Sequence, residues 1–200
     1  MLNDKMADVA RAVGILLAGG IVAYPTDTLY GLAVDPRSAA AVRRLFAVKA
    51  REQGRAIPLI AAELEQARQG ADFNDLALRL ARAFWPGPLS LVLPGTPLLN
   101  PDVVAGDGTV AIRVPANVVA RELAAGLGFC ITATSANLSG EPAPAAAARL
   151  SDTLRVRIDM VVGGDAPGGL PSTIVDASGS APRLVRAGAI EWDRVLRSIR

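Results

Sequence analysis

The sequence predicts a mixed-sheet α/β domain. Its 200 residues suit one sizeable domain, or two small ones at most. Short aliphatic runs of strand length alternate with segments of helical period. Some neighbouring runs are joined by connections too short for a crossover helix, so antiparallel hairpins belong among the α/β units. Hydrophobic residues make up 51% of the chain, mostly Ala, Val, Leu and Ile, which supplies a large aliphatic core.

In chain order, residues 7–18 have the period of an amphipathic helix, with Val9, Val13, Leu16 and Leu17 on one face, ended by Gly19-Gly20. A strand follows through Ile21-Val22-Ala23 and stops at Tyr24-Pro25, because proline cannot donate to a sheet ladder. A second strand over 29–34 comes after a polar turn. Ser38 is placed to cap a helix running to about Ala50, with Val42, Leu45 and Phe46 inward. Residues 57–61 form a strand and 63–69 a short solvated helix. Asn74 caps a helix that ends at Trp85-Pro86-Gly87-Pro88. Leu89 to Leu93 is a strand and 94–108 a surface loop rich in Pro, Gly and Asp. Residues 109–115 are a strand, Asn117 opens a helix over 118–127, and 129–132 are a buried strand. A short Ala-rich helix ends near Leu150. The remainder reads as a strand over 158–162, a glycine-rich connection, a hairpin of 172–176 with 183–186, and a terminal helix over 190–199.

Composition excludes several chemistries. The chain contains no histidine and one cysteine. Histidine triads, histidine bases and histidine or cysteine metal sites are therefore ruled out. Cys130 lies in an apolar run and reads as a small buried hydrophobe. A lone cysteine forms no disulfide within the chain and fits a reducing cytoplasm. The N-terminus lacks the apolar core of a signal peptide, and no run reaches the ~20 apolar residues of a membrane span. Aromatics are scarce, at 4%, which argues against a stacking platform for single-stranded nucleic acid. Net charge is only +2, and most of the basic side chains are Arg, the residue suited to bidentate anion contacts.

Polar residues cluster at strand ends. Thr26, Asp27 and Thr28 follow the first strand, with Gly31 permitting a close approach. Their bland reading is a turn whose side chains satisfy local amides. Thr132, Thr134, Ser135, Asn137 and Ser139 crowd together before Gly140, and such loops present hydroxyls and amides to anions. Two strand ends of this kind invite a shared cleft, since ligands of open α/β sheets gather there. Lys49, Arg51 and Arg55 form a cationic group around Gly54. The helix dipole accounts for Lys49 and Arg51, whereas Arg55 lies beyond the turn, where a cationic loop feeding a strand suits phosphate. Arg113 is embedded in an apolar strand and needs a partner, either a structural carboxylate or a ligand facing a cleft. Neither the G-x-G-x-x-G nor the P-loop spacing occurs.

Together these motifs resemble the YrdC/Sua5 family, the threonylcarbamoyl-AMP synthases of tRNA modification. The matching pieces are Tyr24-Pro-Thr-Asp-Thr-Leu-Tyr-Gly-Leu32, Lys49-x-Arg51, Trp85-Pro-Gly-Pro88, Val110-Ala-Ile-Arg-Val114, Ser135-Ala-Asn-Leu-Ser-Gly140, Ser172-Thr-Ile-Val-Asp176 and Leu184-Val-Arg186. Each is weak alone, but in family order across the chain they are specific. The resemblance implies a single YrdC-like domain over 1–200, without the C-terminal domain of the longer Sua5 branch. It also implies a twisted mixed β-sheet flanked by helices around a large basic concave cleft, as in YrdC/RibB-like folds.

The implied reaction joins L-threonine, bicarbonate or CO2, and ATP into threonylcarbamoyl-AMP and pyrophosphate. A TsaD-type transferase complex then carries the group to adenosine 37 of tRNA. Thr28, Arg113, Ala133 and Ser172 fall at threonine positions. Lys49, Arg51, Arg55, Thr109, Ser135, Asn137, Ala143 and Arg186 fall at nucleotide positions, with Ala133 and Ala143 offering backbone contacts only. Lys49, Arg51, Ser135 and Asn137 carry the catalytic assignment, with Mg2+ held mainly by ATP phosphates. The chain departs from the family pattern at Ala61-Ala62, where some members carry a histidine, at Glu52, where proline is common, and at Arg55, where lysine is usual. Two other readings are a module that binds tRNA or double-stranded RNA through the same cations, and a paralogue with different carbamoyl-type chemistry.

Overall fold

The computed structural model describes residues 2–50, 56–138, 140–164 and 166–199, with side chains from residue 7 onward. Arg51 and Arg55 lie outside the described residues.

Helix α1 (Leu2–Leu17) leads into strand β1 (Val22–Pro25), which pairs antiparallel with β2 (Tyr30–Ala33). Helix α2 (Ala39–Lys49) starts at Ser38, whose hydroxyl accepts from the Ala41 amide and so satisfies one of the first-turn donors. Strand β3 (Leu59–Ile60), α3 (Leu64–Gly70) and α4 (Asp75–Phe84) follow, the last capped by Asn74. Then come β4 (Leu89–Pro94), β5 (Thr109–Arg113) and α5 (Val118–Leu127), which is capped by Asn117. The chain closes with β6 (Ile131–Thr132), β7 (Thr134–Ser135), α6 (Asp152–Arg155), β8 (Met160–Val161), β9 (Thr173–Asp176), β10 (Arg183–Arg186) and α7 (Trp192–Arg197).

The strands form two sheets rather than one. The smaller has the order β7-β2-β1-β8 and the larger β10-β9-β4-β5-β3-β6. Both are mixed: β8 runs parallel to β1, β3 parallel to β5, and β9 parallel to β4, with antiparallel pairs between them. The expected single sheet divides at residues 131–135, where one extended segment changes partner. Its first half pairs with β3 and its second with β2. Thr132 fastens the crossing. Its hydroxyl accepts from the Val34 amide (2.9 Å) and donates to the Leu32 carbonyl (3.0 Å), so the two sheets share a buried hydrogen-bonded seam.

A main core fills the space under the larger sheet, from Leu45 and Phe46 on α2 through Leu80 on α4 to Leu91 and Ile112. A second cluster joins α1, α5 and one face of β1 through Val9, Leu16, Leu123 and Ile131. Each fully buried aliphatic side chain contributes about 1.5–3 kcal/mol relative to exposure.

Several expectations shift. Leu17 is exposed, because the inward stripe of α1 runs through Val9, Ala12 and Leu16 instead. Helix α3 is not merely solvated: Gln66 is buried, accepting from the Ala62 amide (2.7 Å) and donating to the Ala124 carbonyl (2.9 Å). The strand expected over 57–61 narrows to β3. The Ala-rich stretch before Leu150 forms only a 3-10 turn, Ala147–Arg149. The 94–108 loop sends Leu99 and Val103 into the core. Cys130 is buried as expected, and burial pushes its thiol up to about 12.

Candidate active site

The turn after β1 is built by Thr26. Its hydroxyl accepts from the amides of Thr28 (3.1 Å) and Leu29 (3.3 Å) and donates to the Leu29 carbonyl (2.7 Å). The bland reading of this polar cluster therefore holds for Thr26. It does not hold for its neighbours. The Thr28 hydroxyl lies 3.2 Å from that of Thr26 on the cleft wall, and Asp27 reaches across to Arg113. Gly31 faces Tyr24 across the hairpin, where an added Cβ would sit 3.2 Å from the tyrosine ring. The close approach is thus to a side chain of the protein itself. The Tyr24 hydroxyl donates to the Thr132 carbonyl (2.9 Å). Burial raises its pKa, against the opposing pull of Arg113, so it stays a neutral donor.

Arg113 ends β5 in the centre of the larger sheet. Its Nη2 donates to Asp27 Oδ1 at 3.0 Å, and both side chains are only 7% exposed. A structural carboxylate thus supplies one partner. The Arg113 Nε is buried and makes no hydrogen bond. A donor left in that state costs free energy unless a ligand or water takes it.

Lys49 closes α2 and is buried. Its Nζ donates to the carbonyls of Ser135 and Asn137, the latter at 2.9 Å, and to Asn137 Oδ1 at 3.2 Å. The Ser135 hydroxyl donates to the same Oδ1, and the Asn137 amide donates to the Glu141 carbonyl. The lysine therefore organises the loop after β7, a loop expected to meet phosphate.

A cleft of about 400 Å³ lies where the two sheets meet. The smaller sheet and its turn contribute Thr28, Gly31 and Ser135; the larger contributes Ser90, Arg113, Ser172 and Arg186; Ala133 and Ala143 complete the wall. All four residues expected on the threonine side thus line one cavity, with three of those expected on the nucleotide side. Lys49 and Asn137 stand behind Ser135. Thr109 is not on the wall. It opens β5, four residues from Arg113, roughly 13 Å along an extended strand. Its hydroxyl donates to Asp107 at 2.7 Å.

The described lining includes two guanidiniums, Arg113 and Arg186, and no carboxylate. Arg186 Nη2 donates to the Ser172 carbonyl at 2.8 Å and lies 3.3 Å from its hydroxyl. Partial burial, then the like charge of Arg113, lowers the Arg186 pKa, as in a cavity that favours an anion. Ser90 joins the wall although no motif marks it. Its hydroxyl sits 3.0 Å from that of Ser172, and both are buried. The available signal was alternation: in Leu89–Leu93 the leucines share one face, and Ser90 falls on the other. Among the described residues no group of three His, Cys, Asp or Glu could hold a metal ion, and no helix is long and apolar enough to cross a membrane.

Residues 14–188 match the Sua5/YciO/YrdC family profile, described as "Telomere recombination". The chain belongs to this family. Among its Sua5/YciO/YrdC relatives, the threonylcarbamoyl-AMP synthase of Pyrococcus abyssi is 35% identical over 94% of this chain and 57% of its own length. A putative threonylcarbamoyl-AMP synthase of Mycobacterium tuberculosis is 37% identical over 96% of this chain and 89% of its own. The crystal structure of P. abyssi Sua5 complexed with L-threonine superposes with a TM-score of 0.90 at 34% identity, covering 96% of this chain and 57% of that one. The chain therefore spans somewhat over half the length of the P. abyssi protein, and the profile match over 14–188 includes every cleft residue described above.

Proposed function

We propose that the chain is an L-threonylcarbamoyladenylate synthase, a nucleotidyltransferase working as one YrdC-like domain in the cytoplasm. The observation that carries this reading is the buried, unpartnered Arg113 Nε in a cavity that also holds Thr28, Ser172, Ser135 and Arg186. A guanidinium donor beside two hydroxyls suits an amino-acid carboxylate, and the second cation beside a hydroxyl-rich loop suits a nucleotide phosphate. The relatives named as threonylcarbamoyl-AMP synthases and the threonine-bound P. abyssi structure support the same assignment.

The chemistry needs no protein nucleophile. The threonine amine attacks CO2, forming an N–C bond and losing a proton, to give N-carboxythreonine. A carboxylate oxygen of that carbamate attacks the α-phosphorus of ATP. The bond from the α-phosphorus to the bridging oxygen breaks, and pyrophosphate leaves with the electron pair. Such transfers depend on positioning and charge neutralisation, which a histidine-free arginine cleft can provide. Arg113 and Ser172 hold the threonine carboxylate and Thr28 its polar edge, with the Ala133 backbone alongside. Lys49 shapes the Ser135–Asn137 loop toward the phosphates, joined by Arg51, Arg55 and Arg186, with Thr109 and the Ala143 backbone toward the nucleotide. With no acidic cage among the described residues, Mg2+ would be held mainly by the phosphates of ATP, where it would neutralise charge on the departing pyrophosphate. The product passes to a TsaD-type transferase that modifies tRNA.

The test is pyrophosphate release from ATP by the purified chain. Release that requires both L-threonine and bicarbonate supports the assignment. ATP turnover indifferent to threonine would replace it with a paralogue's chemistry, and salt-dependent RNA binding without turnover would replace it with an RNA-binding module.

A further inference from the structure

Asp27 is not on the wall of the cleft, yet its position bears on what the cleft can recognise. It sits in the β1–β2 turn behind Arg113, and each of its oxygens has a fixed partner. Oδ1 accepts from Arg113 Nη2 at 3.0 Å, and Oδ2 accepts from the Ala116 amide at 3.3 Å. The neighbouring Thr26 carbonyl accepts from the Asn117 side chain at 3.3 Å, so the turn is bound to the segment leaving β5 at two points. Thr26 in turn ties the turn to itself through three hydrogen bonds. Asp27 is therefore held by backbone on both sides, while Arg113 is held by Asp27.

A guanidinium is a planar fork of five donors, and one fixed N–H···O contact restricts the plane in which the others lie. Here one Nη2 donor is used from behind, and Nε stays buried without a partner. Arg186 shares the cavity with Arg113, and part of the depression of its pKa is repulsion from that residue.

We propose that Asp27 is a positioning residue for carboxylate recognition: it orients Arg113 from behind the cleft so that the remaining guanidinium donors face the amino-acid substrate and not the nucleotide phosphates. The proposal rests on the synthase reading above. It makes a prediction that simple electrostatics would reverse. Removing a carboxylate makes the cavity more positive, and charge alone would tighten the hold on a carboxylate ligand. Orientation predicts the opposite, because a buried guanidinium released from its partner turns to find another and leaves the productive plane.

The experiment measures L-threonine binding by calorimetry, and KM for threonine and ATP separately in pyrophosphate release, for the wild-type chain and Asp27→Asn. The expected result is a rise of about ten- to hundredfold in the threonine constants with KM for ATP within about twofold. Asp27→Glu keeps the charge but moves it by one methylene; it is expected to fall between the two, and it takes the place of Asp27→Asn if that variant does not fold. Threonine binding that is unchanged or tighter in the variant overturns the proposal, as does an equal loss for both substrates, which marks a purely structural role. A wild-type chain that takes no threonine overturns the parent reading and this one with it, so the two failures are told apart by the wild-type arm.

Discussion

The Lys49 ammonium is 2.9 Å from the Asn137 carbonyl and also bonds that residue's side chain, so the end of α2 and the loop after β7 form one unit across 88 residues of chain. This contact brings a cationic helix end and a hydroxyl-rich loop, far apart in sequence, to one place beside the cleft. A Lys49→Ala chain keeps its core but takes the lysine donor from the Ser135 and Asn137 carbonyls and from Asn137 Oδ1, which retains the Ser135 hydroxyl. Pyrophosphate release is expected to fall by about two orders of magnitude or more, the scale of losing a charge-stabilising donor. Circular dichroism would confirm that the fold persists. Turnover near the wild-type level would remove Lys49 from the machinery.

Ser90 supports Ser172 through their paired hydroxyls. Ser90→Ala removes that support without adding volume. A rise of several-fold in KM for threonine is expected, with KM for ATP unchanged and stability lowered by about 1 kcal/mol. Steady-state kinetics with each substrate varied in turn would show it.

Gly188 lies where the backbone after β10 passes the start of β9. An added Cβ would come within 2.3 Å of the Pro171 carbonyl oxygen and 2.5 Å of the Ser172 carbonyl carbon. Those are backbone atoms and have no rotamer to retreat into. Gly188→Ala must therefore move the Pro171–Thr173 segment, on which Arg186 rests. A loss of about 1–3 kcal/mol in unfolding free energy is expected, with reduced turnover. Denaturant melts combined with the pyrophosphate assay test both parts.

Asp159, just before β8, ties the start of β1 to helix α2. Its carboxylate accepts from both Arg44 nitrogens at 2.7 and 2.9 Å and from the Ile21 amide at 2.7 Å. The Arg44 hydrogen bonds hold its pKa below the ordinary carboxylate value, aided by the Ile21 amide. A carboxylate whose folded pKa is depressed stabilises the fold above its unfolded pKa, and that contribution disappears as pH falls through the folded value. Asp159→Asn is expected to cost about 1 kcal/mol at neutral pH. Melting curves of the two chains should converge on acidification below about pH 4, where the unfolded carboxylate protonates. A gap that stays constant with pH would show that the ionised form contributes nothing.

The local elements were legible because their causes are local. Ser38, Asn74 and Asn117 cap the helices expected of them, since each sits just before a run of helical period. The β9–β10 hairpin and the end of β1 at Pro25 follow from neighbours along the chain. Site residues implied by the family resemblance were also readable, and seven of them line the cleft. The division into two sheets was not readable, because it depends on which partner each half of residues 131–135 meets. Ser90 was not legible because one hydroxyl in an apolar strand looks the same whether it faces core or cavity.

By itself the sequence determined the aliphatic core, the order and caps of the elements, and the absence of histidine chemistry, since these depend only on residue type and spacing. Tertiary structure alone decided that Arg113 is held by Asp27 yet keeps a buried donor unpartnered, and that Thr109 lies away from the cleft wall while Ser90 lies on it. The reason is physical: hydrogen bonds and burial across 82 to 88 residues depend on how two sheets close against each other, which no local window of sequence contains.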